Sequence, residues 1–283
     1  MEQEIALRKI LPGNLVPARN IAHKAVQFAT KAARANLPAA ADDSHSNLGW
    51  DSLNRAFFTQ SLIVGGDEFS VGVSLSPMKL LVRKAAHVIA ELDLEDMSEA
   101  KAMAWFDEAL EKLGLKAASA IKLPYELPSA VESVDTFNLK SEYLALTVLS
   151  DWFDIAHHVL SDFAKSTEEL SPGPSPVRCW PHHFDIATYV GLEDGDFETA
   201  KGIGVGMSPG DDGYDQPYFY INPWPHLDAD DLPEAPEPGH WHTEGFVGAI
   251  ATGEEVLSVS DIPKQLSSFV DASFAIGFEK LGV

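Results

Sequence analysis

Apolar residues recur at helical spacing in four stretches of the chain. Over 15–36, Val16, Ile21, Ala25, Phe28 and Ala32 fall near one face and Pro38 closes the segment, which predicts a helix. Over 97–113, Met103, Phe106, Leu110 and Leu113 form a stripe. Asp96 and Glu99 suit a capped start there and Gly114 a stop. Over 139–166 the apolar positions (Leu144, Val148, Trp152, Ile155, Val159, Phe163) cover most of the circumference, which predicts a long central helix. Over 261–281, Leu266, Phe269, Val270, Phe274 and Phe278 predict a C-terminal helix with one apolar side.

Elsewhere the period is two. Residues 69–75 alternate Phe, Val, Val and Leu with Ser, Gly and Ser, the pattern of a strand. Residues 79–84 supply an antiparallel neighbour across Ser76-Pro77. A short helix is expected at 51–63 and a short strand at 120–123. Further strands are expected at 178–190, 201–207, 217–222 and 244–250, with an acidic, Pro-rich loop at 226–239 among them. No internal repeat has a fixed period. The expectation is an α+β protein, with antiparallel sheets packed by several helices. It is expected to be a single compact unit over 1–283. The alternative divides it into 1–170 and 177–283 at the linker 171–176, Ser-Pro-Gly-Pro-Ser-Pro.

Composition narrows the function classes. The 283 residues are 45% hydrophobic, enough for a sizeable core. No apolar run reaches the roughly 20 residues that span a bilayer. Cys179 is the one cysteine. An intramolecular disulfide and a thiolate zinc centre within the chain are therefore excluded, and a reducing cytoplasm fits.

The net charge of −23 is uneven. Residues 1–142 hold 15 basic and 19 acidic side chains, and residues 143–283 hold 5 and 24. Such a surface repels nucleic acid and anionic lipid and suits cations, neutral small molecules or proteins. Solubility alone is the plainer explanation. From 5 to 41 there is no acid, but there are Arg8, Lys9, Arg19, Lys24, Lys31 and Arg34. The preferred reading of this segment is a basic helix that docks through Phe28 and Ile21 against an acidic body, ahead of a targeting segment.

Candidate chemistry concentrates in three stretches of the second half, which hold four of the ten histidines. In an extended 182–190, His182, Phe184, Ile186 and Val190 share one face, and His183, Asp185 and Tyr189 share the other. His183 and Asp185 are the candidate catalytic pair, with Asp185 orienting His183 as general base. A polar strand rim explains the same residues equally well. Tyr218, Tyr220 and Asn222 share a parity, and with Trp180 and Tyr189 they are the candidate ligand-binding residues, flat apolar surfaces with polar tips. An ordinary half-buried strand looks the same. His240, His242 and Glu244 also share a parity, and two imidazoles with a carboxylate are a ligand set for a divalent metal. The competing explanation is an exposed loop end. Asp151, Asp154, His158 and Asp162 form a polar helix stripe, best explained as a solvated face. His45 lies in a turn-rich loop, and Cys179 reads as a small buried residue. Gly202-Ile-Gly-Val-Gly206 lacks the strand–turn–helix setting of a dinucleotide loop.

Trp180-Pro-His-His-Phe-Asp-Ile-Ala187, Gly206-Met-Ser-Pro-Gly-Asp211 and Pro217-Tyr-Phe-Tyr220 with Pro225 resemble the successive signatures of an uncharacterised bacterial family of roughly 300-residue proteins. Trp50, Gln60 and Pro124-Tyr-Glu126 extend the resemblance, which spans about 45–280 and leaves the N-terminal helix outside it. It implies a shared fold and polar centre, and no activity comes with it. The functional expectation is binding of a small molecule, with turnover left open and a divalent metal as a candidate cofactor. The rival is a non-catalytic interaction module that uses the acidic surface and the Pro-rich loop.

Overall fold

The computed structural model describes residues 2–195 and 199–282. In chain order the elements are α1 (Glu2–Leu7), α2 (Val16–Asn36), β1 (Gly49–Asp51), β2 (Ala56–Phe58), β3 (Leu62–Val64), β4 (Asp67–Leu75), β5 (Met78–Lys84), β6 (His87–Asp93), α3 (Glu99–Lys112), α4 (Ser129–Glu132), α5 (Tyr143–Ser166), β7 (Gly173–Pro174), β8 (Arg178–Trp180), β9 (Asp185–Gly191), β10 (Gly202–Ser208), β11 (Tyr218–Trp224), β12 (His240–His242), β13 (Gly248–Thr252), α6 (Gly253–Ser258) and α7 (Ile262–Leu281). The fold is α+β, with two antiparallel sheets. Among the described residues no helix is long and apolar enough to cross a membrane.

Two compact units divide the chain. One comprises Leu15–Ser150 with Cys179–Phe184; the other comprises Met1–Asn14, Asp151–Arg178 and Asp185–Val283. They are called the α2 unit and the α7 unit below.

In the α2 unit the sheet order is β1-β2-β4-β5-β6, with β3 also on β4. Strands β4 and β5 pair from Phe69↔Lys84 to Leu75↔Met78, the hairpin that alternation predicts. Helix α2 packs on β4 and buries most of its circumference, including His23 and Gln27. Phe28 is fully buried, with its ring edge-on to Phe106 of α3 at 6.0 Å and beside Phe137 at 6.1 Å. Ile21 is only partly buried. The basic helix is therefore a core element of its unit, with Lys24 paired with Glu99 at 3.0 Å and Arg34 with Asp43 at 2.9 Å.

Three local expectations need correction. Residues 51–63 form β1–β3 rather than a helix. Their hydrogen bonds run to β4 and to one another, and the left-handed Arg55 (φ 48°) turns the chain between them. Residues 120–123 are not a strand. The chain leading to them is held by side chains instead, Lys116 N donating to Asn36 Oδ1 and Ala118 N to Asp107 Oδ1. Helix α3 is capped by Ser98, whose side chain accepts from Lys101 N; Asp96 lies outside the helix, is left-handed (φ 58°) and pairs with Lys140 at 2.9 Å.

In the α7 unit the order is β12-β13-β11-β10-β9-β7. One face carries Ile186, Val190, Ile203, Val205, Met207, Phe219 and Ile221, all buried. Helix α7 packs on β10 and β11 and buries Ile262, Leu266, Phe269 and Val270. Phe274 is also buried and meets Phe163 of α5, ring centroids 5.0 Å apart. Residues 171–176 include β7, which pairs with β9 at Gly173↔Gly191.

Candidate functional site

The opposite face of the α7-unit sheet is built of glycine, tyrosine and polar side chains. The register fixes its membership. Tyr218, Tyr220 and Asn222 of β11 lie opposite Ser208, Gly206 and Gly204 of β10. Gly206 and Gly204 in turn lie opposite Ala187 and Tyr189 of β9, which puts Asp185 on the same face. On the other side Tyr218 and Tyr220 meet Thr252 and Ile250 of β13, and His240 and His242 of β12 meet Ile250 and Gly248. Seven of the residues that sequence parity singled out thus share one face: Asp185, Tyr189, Tyr218, Tyr220, Asn222, His240 and His242.

The glycines of β10 explain how the rings fit. A Cβ on Gly206 would lie 2.5 Å from the Tyr220 hydroxyl and 2.8 Å from Ala187 Cβ, and one on Gly202 would lie 2.1 Å from the Tyr189 hydroxyl. The Gly-Ile-Gly-Val-Gly segment is a strand with one bare face, over which the rings of Tyr189 and Tyr220 reach.

Hydrogen bonds then fix each ring. The Tyr220 phenol donates to Asp185 Oδ2, and the Tyr218 phenol donates to Asp211 Oδ2. Asp211 Oδ1 takes the amides of Gly213 at 2.8 Å and Tyr214 at 3.0 Å, which folds the β10–β11 loop and sets Tyr214 against Tyr218, ring centroids 4.9 Å apart. The rings of Tyr218 and Tyr220 follow at 6.2 Å. Burial, and then the bond to Asp211, raises the Tyr218 phenol above its ordinary range; burial and the nearby Asp185 raise Tyr220 well above it. Both keep their hydrogens at neutral pH.

Tyr214 joins this row to the imidazoles. Its hydroxyl lies 3.2 Å from Nε2 of His240 and 2.9 Å from Nδ1 of His242. Nδ1 of His240 faces Glu255 Oε1 at 2.9 Å, and Nε2 of His242 faces the Glu244 carbonyl at 2.6 Å. A carbonyl, like a carboxylate, only accepts, so those two ring nitrogens donate. In neutral rings the other two nitrogens are lone pairs, and both point at the single hydrogen of Tyr214. Glu255 is held by a capping box at the start of α6, where its Oε2 takes the amide and hydroxyl of Thr252, both at 2.8 Å.

The structure thus brings His240 and His242 together through a phenol and joins Glu244 to them through its carbonyl, with its residue exposed. Among the described residues, no group of three or more His, Cys, Asp or Glu side chains is arranged to hold a metal ion.

Trp180 and His183 lie in the other unit. The strand expected over 182–190 begins only at Asp185, because 181–184 is a turn. Trp180 O accepts from His183 N and Phe184 N, and Phe184 is left-handed at φ 63°. Alternation therefore does not carry through from His183 to Asp185. His183 is exposed, its ring 4.1 Å from that of His182. Phe184 is fully buried, stacked on His23 at 5.2 Å and edge-on to Phe57 at 5.9 Å. Pro181 O accepts from His23 Nε2 at 2.9 Å and Gln27 Nε2 at 2.8 Å, and Gln27 Oε1 accepts from the Tyr125 phenol at 2.8 Å. Burial lowers the imidazoles of His23 and His182 to about 4, so both are neutral at pH 7. This cluster anchors a turn. His45 is buried and accepts from Ala40 N at 3.2 Å. Cys179 is fully buried and pairs through its backbone with Leu48, and Asp151 of the helix stripe is buried rather than solvated.

A family model described as a family of unknown function, DUF5996, matches residues 13–190, well over half of the chain. The chain belongs to this family. The DUF5996 match takes in α2, which the sequence resemblance left outside, and the whole of the α2 unit. It ends within β9, so Asp185 and Tyr189 lie inside it, while β10–β13 and their tyrosines and histidines lie beyond. No curated protein matches the chain, and no solved structure does.

Sequence parity missed Tyr214, Asp211 and Glu255. Tyr214 and Asp211 sit in a loop, where no period applies. Glu255 had a readable signal, Thr252-x-x-Glu255, the spacing of a capping box.

Proposed function

We propose that this member of DUF5996 binds a small organic molecule on the tyrosine face of the α7-unit sheet. The observation that carries the reading is the convergence of three tyrosines, two imidazoles, Asp185 and Asn222 on one sheet face, with their hydrogen bonds already set by Asp185, Asp211 and Glu255. Ordered polar groups of this kind lose little entropy when a ligand arrives. Asn222 Oδ1 supports it further: it is a buried acceptor with no hydrogen-bond partner among the described residues. Burying such a group unpaired costs free energy that a ligand donor recovers. A divalent metal at His240 and His242 would have to displace Tyr214 from both rings, so metal is not part of this reading.

The test is a thermal-shift screen of small polar compounds against wild type, Asn222→Ala and Tyr220→Phe. Compounds that stabilise wild type and lose that effect in both variants support the proposal. A screen with no stabilising compound, or with effects that both variants keep, contradicts it. The rival reading, a protein-interaction surface, rests on the exposed acidic loop at Asp228, Asp230 and Asp231 beside the exposed Trp224. It predicts instead that charge reversal in that loop, and not change on the tyrosine face, alters behaviour.

A further inference from the structure

Helix α2 and the irregular chain at 119–127 line an open groove of about 780 Å³ within the α2 unit. Small-molecule sites run from roughly 300 to 1,000 Å³, so the size suits a ligand of several linked groups. The groove shares no residue with the tyrosine face. Its whole lining falls inside 13–190, the span that the DUF5996 model matches, whereas β10–β13 fall beyond it.

Both signs of charge stand open in this groove. Lys24 of α2 is committed to Glu99. Lys31, further along the same helix, has no ion-pair or hydrogen-bond partner among the described residues, and neither have Lys122, Glu126 and Glu132. Other lysines of the unit do find carboxylates: Lys79 pairs with Glu91, Lys84 with Asp67, Lys112 with Glu108 and Lys140 with Asp96. The backbone is open as well. Over 122–127 no N–H or C=O group has a hydrogen-bond partner among the described residues, so these groups remain free to bond a ligand. The wall that carries them is nevertheless held in place. The Tyr125 phenol donates to Gln27 Oε1 at 2.8 Å, and Gln27 Nε2 donates to Pro181 O at 2.8 Å. A wall set before the ligand arrives lowers the cost of binding.

A simple anion would meet Glu126 and Glu132, and a simple cation would meet Lys31 and Lys122. A neutral ligand would leave all four charges unused. We infer that the groove binds a short peptide that carries both signs. Its carboxylate goes to Lys31 and Lys122, its ammonium group to Glu126 and Glu132, and its amides to the open backbone of 122–127. The half-buried Ile121, Leu123 and Leu127 give its side chains apolar surface.

Titration of the full chain, followed through the backbone amide resonances of 122–127, tests this with four matched probes. They are the tripeptide Ala-Leu-Ala with free termini, its acetylated form, its amidated form, and the form blocked at both ends. The free peptide is expected to shift these resonances saturably. Blocking one end should weaken it by about fivefold, the worth of one exposed ion pair, and blocking both ends should weaken it further. Lys31→Ala combined with Lys122→Ala is expected to weaken the free peptide and to leave the amidated form, which has no carboxylate, unchanged. Glu126→Gln combined with Glu132→Gln is expected to weaken the free peptide and to leave the acetylated form, which has no ammonium group, unchanged.

No saturable shift at 122–127 overturns the inference. So does binding of the doubly blocked form as tight as that of the free peptide, or binding that both double variants leave intact. Leucine alone binding as tightly as the tripeptide would reduce the ligand to an amino acid and overturn the peptide class. Inorganic phosphate binding more tightly than the peptide would make the groove an anion site and overturn it too.

Discussion

Tyr220 of β11 reaches across β10 to donate its phenol hydrogen to Asp185 of β9, two strands away. The ring passes over Gly206, where a Cβ would meet the hydroxyl at 2.5 Å and the adjoining ring carbon at 2.6 Å. A bare strand between two side-chain-bearing strands is what makes the contact geometrically available.

The glycine is therefore a packing requirement. Gly206→Ala is expected to destabilise the protein by about 1–3 kcal/mol in urea unfolding, the usual cost of overpacking. In a Tyr220→Ala background the same substitution should cost less, since the obstructing ring is gone. Equal costs in the two backgrounds would show that the ring is not the obstacle.

His23 makes the α2 unit acid-sensitive. Its imidazole titrates near 6.5 in an unfolded chain and at about 4 in the fold, because burial disfavours its charged form. Between these values the unfolded chain binds more protons, so stability is complete above about pH 6.5 and falls as pH drops toward 4. The loss from this residue is at most about 3 kcal/mol. His23→Gln, which can still donate to Pro181 O, is expected to flatten the stability profile between pH 6.5 and 4. Parallel profiles for wild type and variant would assign the acid sensitivity elsewhere.

Tyr214 should act as a competitor for metal. Its hydroxyl occupies one nitrogen of each imidazole, and Glu255 and the Glu244 carbonyl occupy the others. Calorimetry with zinc at pH 7.5 is expected to show weaker binding to wild type than to Tyr214→Phe, in which Nε2 of His240 and Nδ1 of His242 are released. Affinity in the variant should fall at lower pH, where imidazole is protonated, and should vanish with His242→Ala. Tighter binding to wild type than to Tyr214→Phe would mean that the phenol assists the ion.

Helix α2 cannot be shed. Deletion of 1–38 removes Phe28 and the alanine face that packs on β4, so it is expected to abolish cooperative unfolding of the α2 unit at any salt concentration. Phe28→Ala alone should cost about 3–5 kcal/mol. A truncated protein that melts as the full chain does would return α2 to the status of a dispensable arm.

Much of this was readable from spacing. The apolar stripes locate α2, α3, α5 and α7, and alternation locates the β4–β5 hairpin. Alternation also puts Tyr218, Tyr220 and Asn222 on one side of a strand and His240 and His242 on one side of another. It does not say that the two sides are the same, because that depends on the registers through β13. Where a turn interrupts the chain, parity misleads. The left-handed Phe184 breaks the alternation between His183 and Asp185, and a β-branched or aromatic residue gives no warning of positive φ. The triplet Ala56-Phe57-Phe58 is short and wholly buried, so no period distinguishes strand from helix there.

The bare face of β10 also bears on how the sheet finds its alignment. Glycine-rich strands hold their pairing loosely, because a slip moves few side chains into conflict. A slip of two residues along β10 would keep Ile203, Val205 and Met207 directed at α7 and so would meet little resistance from that side. What distinguishes the native alignment is the pair of tyrosines, Tyr189 seated over Gly202 and Tyr220 over Gly206, like pawls in two notches. The aromatic rings that line the candidate site thus double as the gauge by which the central strand is set.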